Sequence, residues 1–185
     1  MLWIVVGLVV LLVVVGIVLY NRLVALRNRV DNGWSQIDVQ LRRRYDLIPN
    51  LVETVRGYAT HERELFERVT EARSRAMDAS GVAAQADAEN AVSAGLRQLL
   101  AVVEAYPDLK ANQGFLALQE ELTGTESRIA YARQFYNDQV MRLNTAIQTF
   151  PSLLVARLGG FTEREFFDIE DPIRGPVEVD LGGGS

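Results

Sequence analysis

The 185-residue chain has no cysteine and a single histidine, His61. These shortages remove a disulfide scaffold, a thiolate zinc site, a cysteine nucleophile, a lipidated N-terminal cysteine and any histidine-rich metal centre. Charge is missing from the N-terminus: Leu2 to Leu19 are 18 consecutive apolar or glycine positions, and no Lys or Arg precedes Arg22. No stretch shows the period-two alternation of a half-buried strand. Between Arg22 and Gly160 neither sign of charge is in excess, with 17 basic and 17 acidic residues. A duplex-binding protein concentrates cations against phosphate, so nucleic acid is not expected as a partner. The acidic surplus is confined to residues 161–185, which hold seven carboxylates and two arginines.

Eighteen apolar residues make about 27 Å of helix, close to the hydrocarbon thickness of a bilayer. Trp3 and Tyr20 sit where interfacial aromatics belong, and Arg22 follows directly. A cleaved signal peptide would need a basic lead, a shorter apolar core and a small-residue cleavage site, whereas Tyr20-Asn21-Arg22 follows this run. A buried soluble-core helix would be an odd place for eight valines. The expectation is an uncleaved transmembrane anchor over residues 1–21, with Trp3, Tyr20 and Arg22 at the lipid interface. Arg22, Arg27 and Arg29 flank only its C-terminal side, which predicts an outside N-terminus and a cytoplasmic body.

From Leu23 the apolar residues fall at 23, 26, 30, 34, 37, 41, 45, 48, 52, 55, 59, 66 and 69, a helical stripe that repeats first every eleven and then every seven residues. Further stripes run from Val92 to Tyr106 and from Phe115 to Phe150. Breaks are expected at Ser80-Gly81 and at Tyr106-Pro107-Asp108, and a kink or a restart capped by Asp46 at Pro49. The predicted fold is all-α: the transmembrane helix continues into an elongated antiparallel bundle of long helices over residues 22–160, followed by an acidic extended tail over 161–185. Asn112 is expected to cap the third long helix and Ser152 a last short turn ended by Gly159 and Gly160. A first helix reaching Asp78 would measure about 84 Å, longer than its partners, so part of its stripe is expected to fold back or to pack on a second copy.

Few residues suggest chemistry. His61-Glu62-Arg63-Glu64-Leu65 begins like a zinc-protease helix, but Leu65 stands where the second histidine belongs. No phosphate-binding glycine loop and no base for a serine nucleophile are evident. The densest charge cluster is Arg42, Arg43 and Arg44. It reads either as a docking patch for an acidic partner, the tail at Glu163 to Asp171 included, or as a solvated face paired locally with Asp38 and Asp46. Gly95 and Gly124 are read as points of close helix approach, and Trp34 as core. The aromatics Phe161, Phe166 and Phe167 either dock the tail on the bundle or present it to a partner.

The run from Trp34 to Glu62 (WSQIDVQLRRRYDLIPNLVETVRGYATHE), with Tyr106-Pro-Asp-Leu-Lys-Ala-Asn112, Tyr136-Asn137 and Phe150-Pro151-Ser152, closely resembles the LemA family of bacterial membrane proteins. The resemblance covers nearly the whole chain. It implies a single-pass protein of the bacterial inner membrane with an elongated helical bundle, and it brings no catalytic residue, metal or cofactor to carry over. The expected function is a membrane-anchored scaffold or adaptor working through protein association, including self-association. The alternative is a carboxylate-based, metal-assisted hydrolase, or an accessory part of one, using Asp46 and Glu53, two turns apart on one helical face.

Overall fold

The computed structural model describes residues 1–169, in which helices are the only regular structure. The first helix, α1 (Leu2–Arg56), is continuous over 55 residues. Its N-terminal apolar window is entirely unburied, whereas from Leu23 onward the stripe becomes the core seam, with Leu23, Val30, Ile37, Leu41, Ile48 and Val55 all closed to solvent. One helix thus changes its environment near residue 22 without a break. The unburied window is at odds with a soluble-core helix, for which that face would be covered.

The helix ends earlier than the stripe predicts. Gly57 to Glu62 form a turn, so α1 stops at Arg56 and not near Asp78. Ala59 is fully buried inside the turn, its N–H donating to Val55 O at 2.9 Å, so the apolar register passes through without helical backbone. The chain then returns antiparallel as α2 (Arg63–Asp78), with the Arg56 guanidinium 5.5 Å from the centre of the Phe66 ring. Gly81 takes φ +90°, a region that favours glycine, and opens α3 (Val82–Val103). The short α4 (Pro107–Lys110) begins on its proline, whose missing N–H costs nothing in a first turn. Asn112 caps α5 (Gln113–Gln148), as expected: its side-chain oxygen accepts from Phe115 N at 3.0 Å, and its amide donates to the Tyr58 hydroxyl at 3.2 Å.

The cross-contacts Tyr58–Asn112, Arg43–Glu121, Arg44–Glu126 and Gly33–Tyr136 run in opposite senses along the two chains, so α1 and α5 are antiparallel. The distal half, over roughly the last four turns of α1, is a four-helix bundle completed by the α2–α3 hairpin. The proximal half, next to the apolar window, has only α1, α5, the short α6 (Ser152–Leu158) and the start of the tail.

Of the outcomes open to the long stripe, folding back is the one observed: the chain turns at 57–62, and all members of the α1 stripe are buried within it except Trp34, which is half-buried. Other expectations need correcting. Pro49 neither restarts nor ends the helix. It deprives the Tyr45 carbonyl of its usual donor four residues on, and Arg73 Nε from α2 donates to that carbonyl instead, at 2.7 Å. Gly95 is a close approach, since a β-carbon there would stand 3.1 Å from Val69 Cγ2, but nothing lies within 4 Å of one at Gly124. The tight α1–α5 contact is at Gly33, where a β-carbon would meet Tyr136 Cα at 3.2 Å. Ser152 does not cap α6 in the usual sense: its hydroxyl donates back to Ala146 O and Thr149 O.

Candidate functional site

The three adjacent arginines of α1 face three ways, because successive helical positions differ by about 100°. Arg42 is exposed and pairs with Asp38 at 3.0 Å, one of the local pairs that the spacing suggests. Arg43 reaches Glu121 on α5 at 2.7 Å. Arg44 points inward and is 1% exposed, so it is not part of a surface docking patch. The next residue, Tyr45, also lies inside.

Arg44 and Tyr45 organise the one charged cluster in the core among the described residues. Arg44 forms an ion pair with Glu89 of α3, itself 0% exposed, and donates to Glu126 of α5 at 2.9 and 3.2 Å and to Ser93 at 3.3 Å. The Tyr45 hydroxyl donates to Glu89. Gln85 Nε2 completes the carboxylate's shell at 2.8 Å and also lies 2.9 Å from the Tyr45 oxygen and 3.0 Å from Ala76 O. A buried charge needs such a shell, since an uncompensated ion costs several kcal/mol. Burial pushes the Tyr45 hydroxyl above its ordinary pKa, against the opposing pull of Arg44 and of the Gln85 hydrogen bond. The arginine is already neutralised by two carboxylates, and both it and Glu89 are closed to solvent. The cluster therefore ties α1, α2, α3 and α5 in one register.

In the proximal half the described part of the tail lies extended along α5, one of the two outcomes its aromatics left open. Phe167 is 0% exposed, with its ring 5.2 Å from that of Trp34, which in turn packs on Tyr136 at 5.5 Å. Two asparagines hold the backbone. Asn137 donates to Phe167 O at 3.1 Å and accepts from Phe167 N at 2.9 Å; Asn144 does the same for Arg164, both at 2.9 Å. Seven residues of helix rise about 10 Å, as do three residues of extended chain, so the clamps match in pitch. The Tyr136 hydroxyl donates to Glu165 O at 2.9 Å, and burial raises its pKa above the usual value. Arg164 pairs with Asp31 at 3.1 Å, and no described tail carboxylate pairs with Arg42, Arg43 or Arg44. The remainder of the acidic tail, Glu170 and Asp171 included, lies outside the described residues.

At the junction with the apolar window, Trp3 is 84% exposed and Tyr20 stacks edge-on against Phe161 at 5.6 Å. Arg22 is exposed, and the Arg27 guanidinium lies 5.4 Å from the Phe161 ring centre. Elsewhere, Asp46 and Glu53 are both exposed, and no group of three metal-ligating side chains occurs among the described residues. Nothing in the sequence singled out Glu89, Gln85 and Asn144, and Asn137 stood out only within the Tyr136-Asn137 pair of the family resemblance. A polar residue on an apolar helix face, as Glu89 is beside Val92 and Leu96, is the one signal that could have found the buried cluster.

A family model described as the LemA family matches residues 33–181. Magnetosome protein MamQ of Magnetospirillum gryphiswaldense and magnetosome protein MamQ 1 of Paramagnetospirillum magneticum are each 25% identical over 174 residues, covering 80% of this chain and 64% of theirs. Protein LemA of Metamycoplasma hominis is 25% identical over 138 residues, 74% of this chain and 63% of that protein. The chain thus spans slightly less than two thirds of the length of these relatives.

Proposed function

The chain belongs to the LemA family, and from that premise we propose that it is a non-enzymatic scaffold, fixed in a bacterial inner membrane by residues 2–20, whose rigid helical body engages other proteins. The observation that carries this reading is the continuity of α1: the helix that supplies the exposed apolar window is the same helix that supplies the core seam. Position and orientation at the bilayer are thereby transmitted to the distal bundle without a hinge. The flanking arginines support a cytoplasmic body. A protein-facing surface is supported by Val39 (60% exposed), Tyr131 (75%) and Phe135 (41%), which line one shallow groove between α1 and α5. Exposed large apolar groups gathered in one place mark association surfaces more often than single ones do. Self-association belongs to this surface in the proposal, since the α1 seam is already filled.

A photoreactive residue at Tyr131 in the full-length protein, in intact cells, tests the reading. The expected result is a discrete crosslinked adduct, either a dimer or one protein partner, that disappears with Phe135→Asp while the protein stays in the membrane fraction. Full cellular function of the body without residues 1–21, released from the membrane, would refute the anchored scaffold.

A further inference from the structure

The charge of the body is neutral in sum but polarised along its length. Residues 1–30 and 139–162, which meet at the proximal end, contain five arginines (22, 27, 29, 142 and 157) and no carboxylate. The acids nearest to them along the chain are occupied or uninvolved: Asp31 pairs with Arg164, Glu163 accepts from Gln148 at 2.9 Å, and Asp138, one turn before Arg142 on α5, forms no ion pair with it. Arg22, Arg29 and Arg142 have no acidic partner among the described residues.

These three side chains line one groove of about 540 Å³ between α1, α5 and the start of α6. Arg22 and Arg29 are two turns apart on one face of α1, and Arg142 reaches the groove from α5. The buried Leu23 and Leu26 contribute apolar surface, and Thr145 adds an exposed hydroxyl one turn on from Arg142. Leu19, the last residue of the apolar run, also lines the groove. At the same end Phe150 (78% exposed), Leu154 (53%) and Leu158 (91%) stand uncovered around α6, near the level at which Tyr20 meets Phe161. A bilayer surface would cover them, as it covers the apolar side of interfacial helices.

We propose that this groove is a binding site for the head group of an anionic phospholipid of the membrane that α1 crosses. The phosphate oxygens accept from the guanidinium groups of Arg22, Arg29 and Arg142, and the acyl chains continue past Leu19 into the bilayer. Guanidinium is the side-chain group best matched to phosphate, through paired N–H donors. The site rests on the reading that residues 2–20 span a bilayer.

The test uses the full-length protein reconstituted in phosphatidylcholine vesicles containing a minor fraction of spin-labelled phosphatidylglycerol, with spin-labelled phosphatidylcholine as reference. The expected result is preferential immobilisation of the phosphatidylglycerol label, falling roughly fivefold for each arginine removed, so that Arg22→Gln/Arg29→Gln/Arg142→Gln shows no preference. Thr145→Trp keeps every charge but fills the groove, and it too should abolish the preference. Preference retained in Thr145→Trp would make the attraction one of diffuse surface charge and overturn the site, as would equal preference in wild type and triple variant. Complete displacement of the label by inorganic phosphate would reassign the groove to the free ion and also overturn the lipid assignment. An alkaline carbonate wash separates the two levels. Protein that resists the wash but lacks lipid preference refutes the site alone, whereas protein that washes off refutes the anchor on which it depends.

Discussion

The proximal and distal halves of the body solve the same packing problem with different materials. Two antiparallel helices bury only the faces they turn to each other. The distal half closes its open side with a second helical hairpin, α2 and α3, and places an ion cluster at the centre. The proximal half has no second hairpin; it closes with an extended segment whose Phe167 enters beside Trp34 and whose backbone is held by asparagine amides. In the distal half, a buried ion cluster joins the helices that meet. In the proximal half, asparagine amides and aromatic packing, with the exposed Arg164–Asp31 pair, hold a segment that runs alongside one helix. Among the described residues, arginines without an acidic partner are left at the end nearest the apolar window, the side on which we place the lipid head group.

If charge specifies the distal half, removing one partner should be the most damaging change in the protein. Glu89→Leu leaves Arg44 in the core with Glu126 as its one remaining carboxylate, and the expected cost is about 3–5 kcal/mol in denaturant unfolding. Arg44→Met/Glu89→Leu should recover most of that loss, because an apolar pair of similar volume carries no desolvation penalty. Equal losses in the single and double variants would break the contrast between the halves.

The Pro49 repair should come next in size. Arg73→Met removes a charged donor from the Tyr45 carbonyl and should cost about 1.5–3 kcal/mol. Adding Pro49→Ala restores a backbone N–H for that carbonyl, so the double variant should be markedly more stable than Arg73→Met alone. A strictly additive cycle would show that the two residues do not act on the same carbonyl.

Asn137→Ala and Asn144→Ala each delete two hydrogen bonds of the proximal clamp, with an expected cost of about 1–2 kcal/mol each. Hydrogen exchange locates the loss: the amides of Arg164 and Phe167 should lose protection, while those of α3 keep theirs. Loss of protection in α3 would mean that the halves unfold as one unit.

The smallest effect is on alkaline stability. Tyr45 and Tyr136, one in each half, have pKa values raised chiefly by burial, so the fold favours their protonated forms. Their contribution is intact below the ordinary phenol value of about 10 and is lost as pH climbs through the folded pKa. Tyr45→Phe should flatten the alkaline fall of the unfolding midpoint in distal probes, and Tyr136→Phe in proximal ones. An unchanged alkaline slope in both variants would remove the tyrosines as its source.

The helical class, the α1 seam, the breaks at Gly81 and Pro107 and the Asn112 cap were legible because each depends on local periodicity or on one residue's backbone preference, whereas the tail aromatics left docking and presentation to a partner equally open. The turn at 57–62 was not, since Ala59 keeps the heptad spacing of 52, 59 and 66 while the backbone leaves the helix. Pro49 pointed to a kink or a restart, and no restart occurs; the donor to the Tyr45 carbonyl, Arg73, comes from another element. The same holds for Arg44: in the sequence it is the third of three alike, and only the arrival of Glu89 and Glu126 from distant segments separates it from Arg42 and Arg43. Long-range pairing, unlike periodicity, leaves at most a polar residue on an apolar face, as at Glu89, and does not name its partner.

Coupling of the bilayer to the bundle requires one rod without a joint at residues 20–22. Spin labels at Val10 and Arg42, both exposed positions of α1, measured by pulsed dipolar spectroscopy in reconstituted vesicles, test it directly. A continuous helix gives a single narrow distance of about 48 Å, whereas a broad or markedly shorter distribution would show a hinge at the membrane and contradict the account.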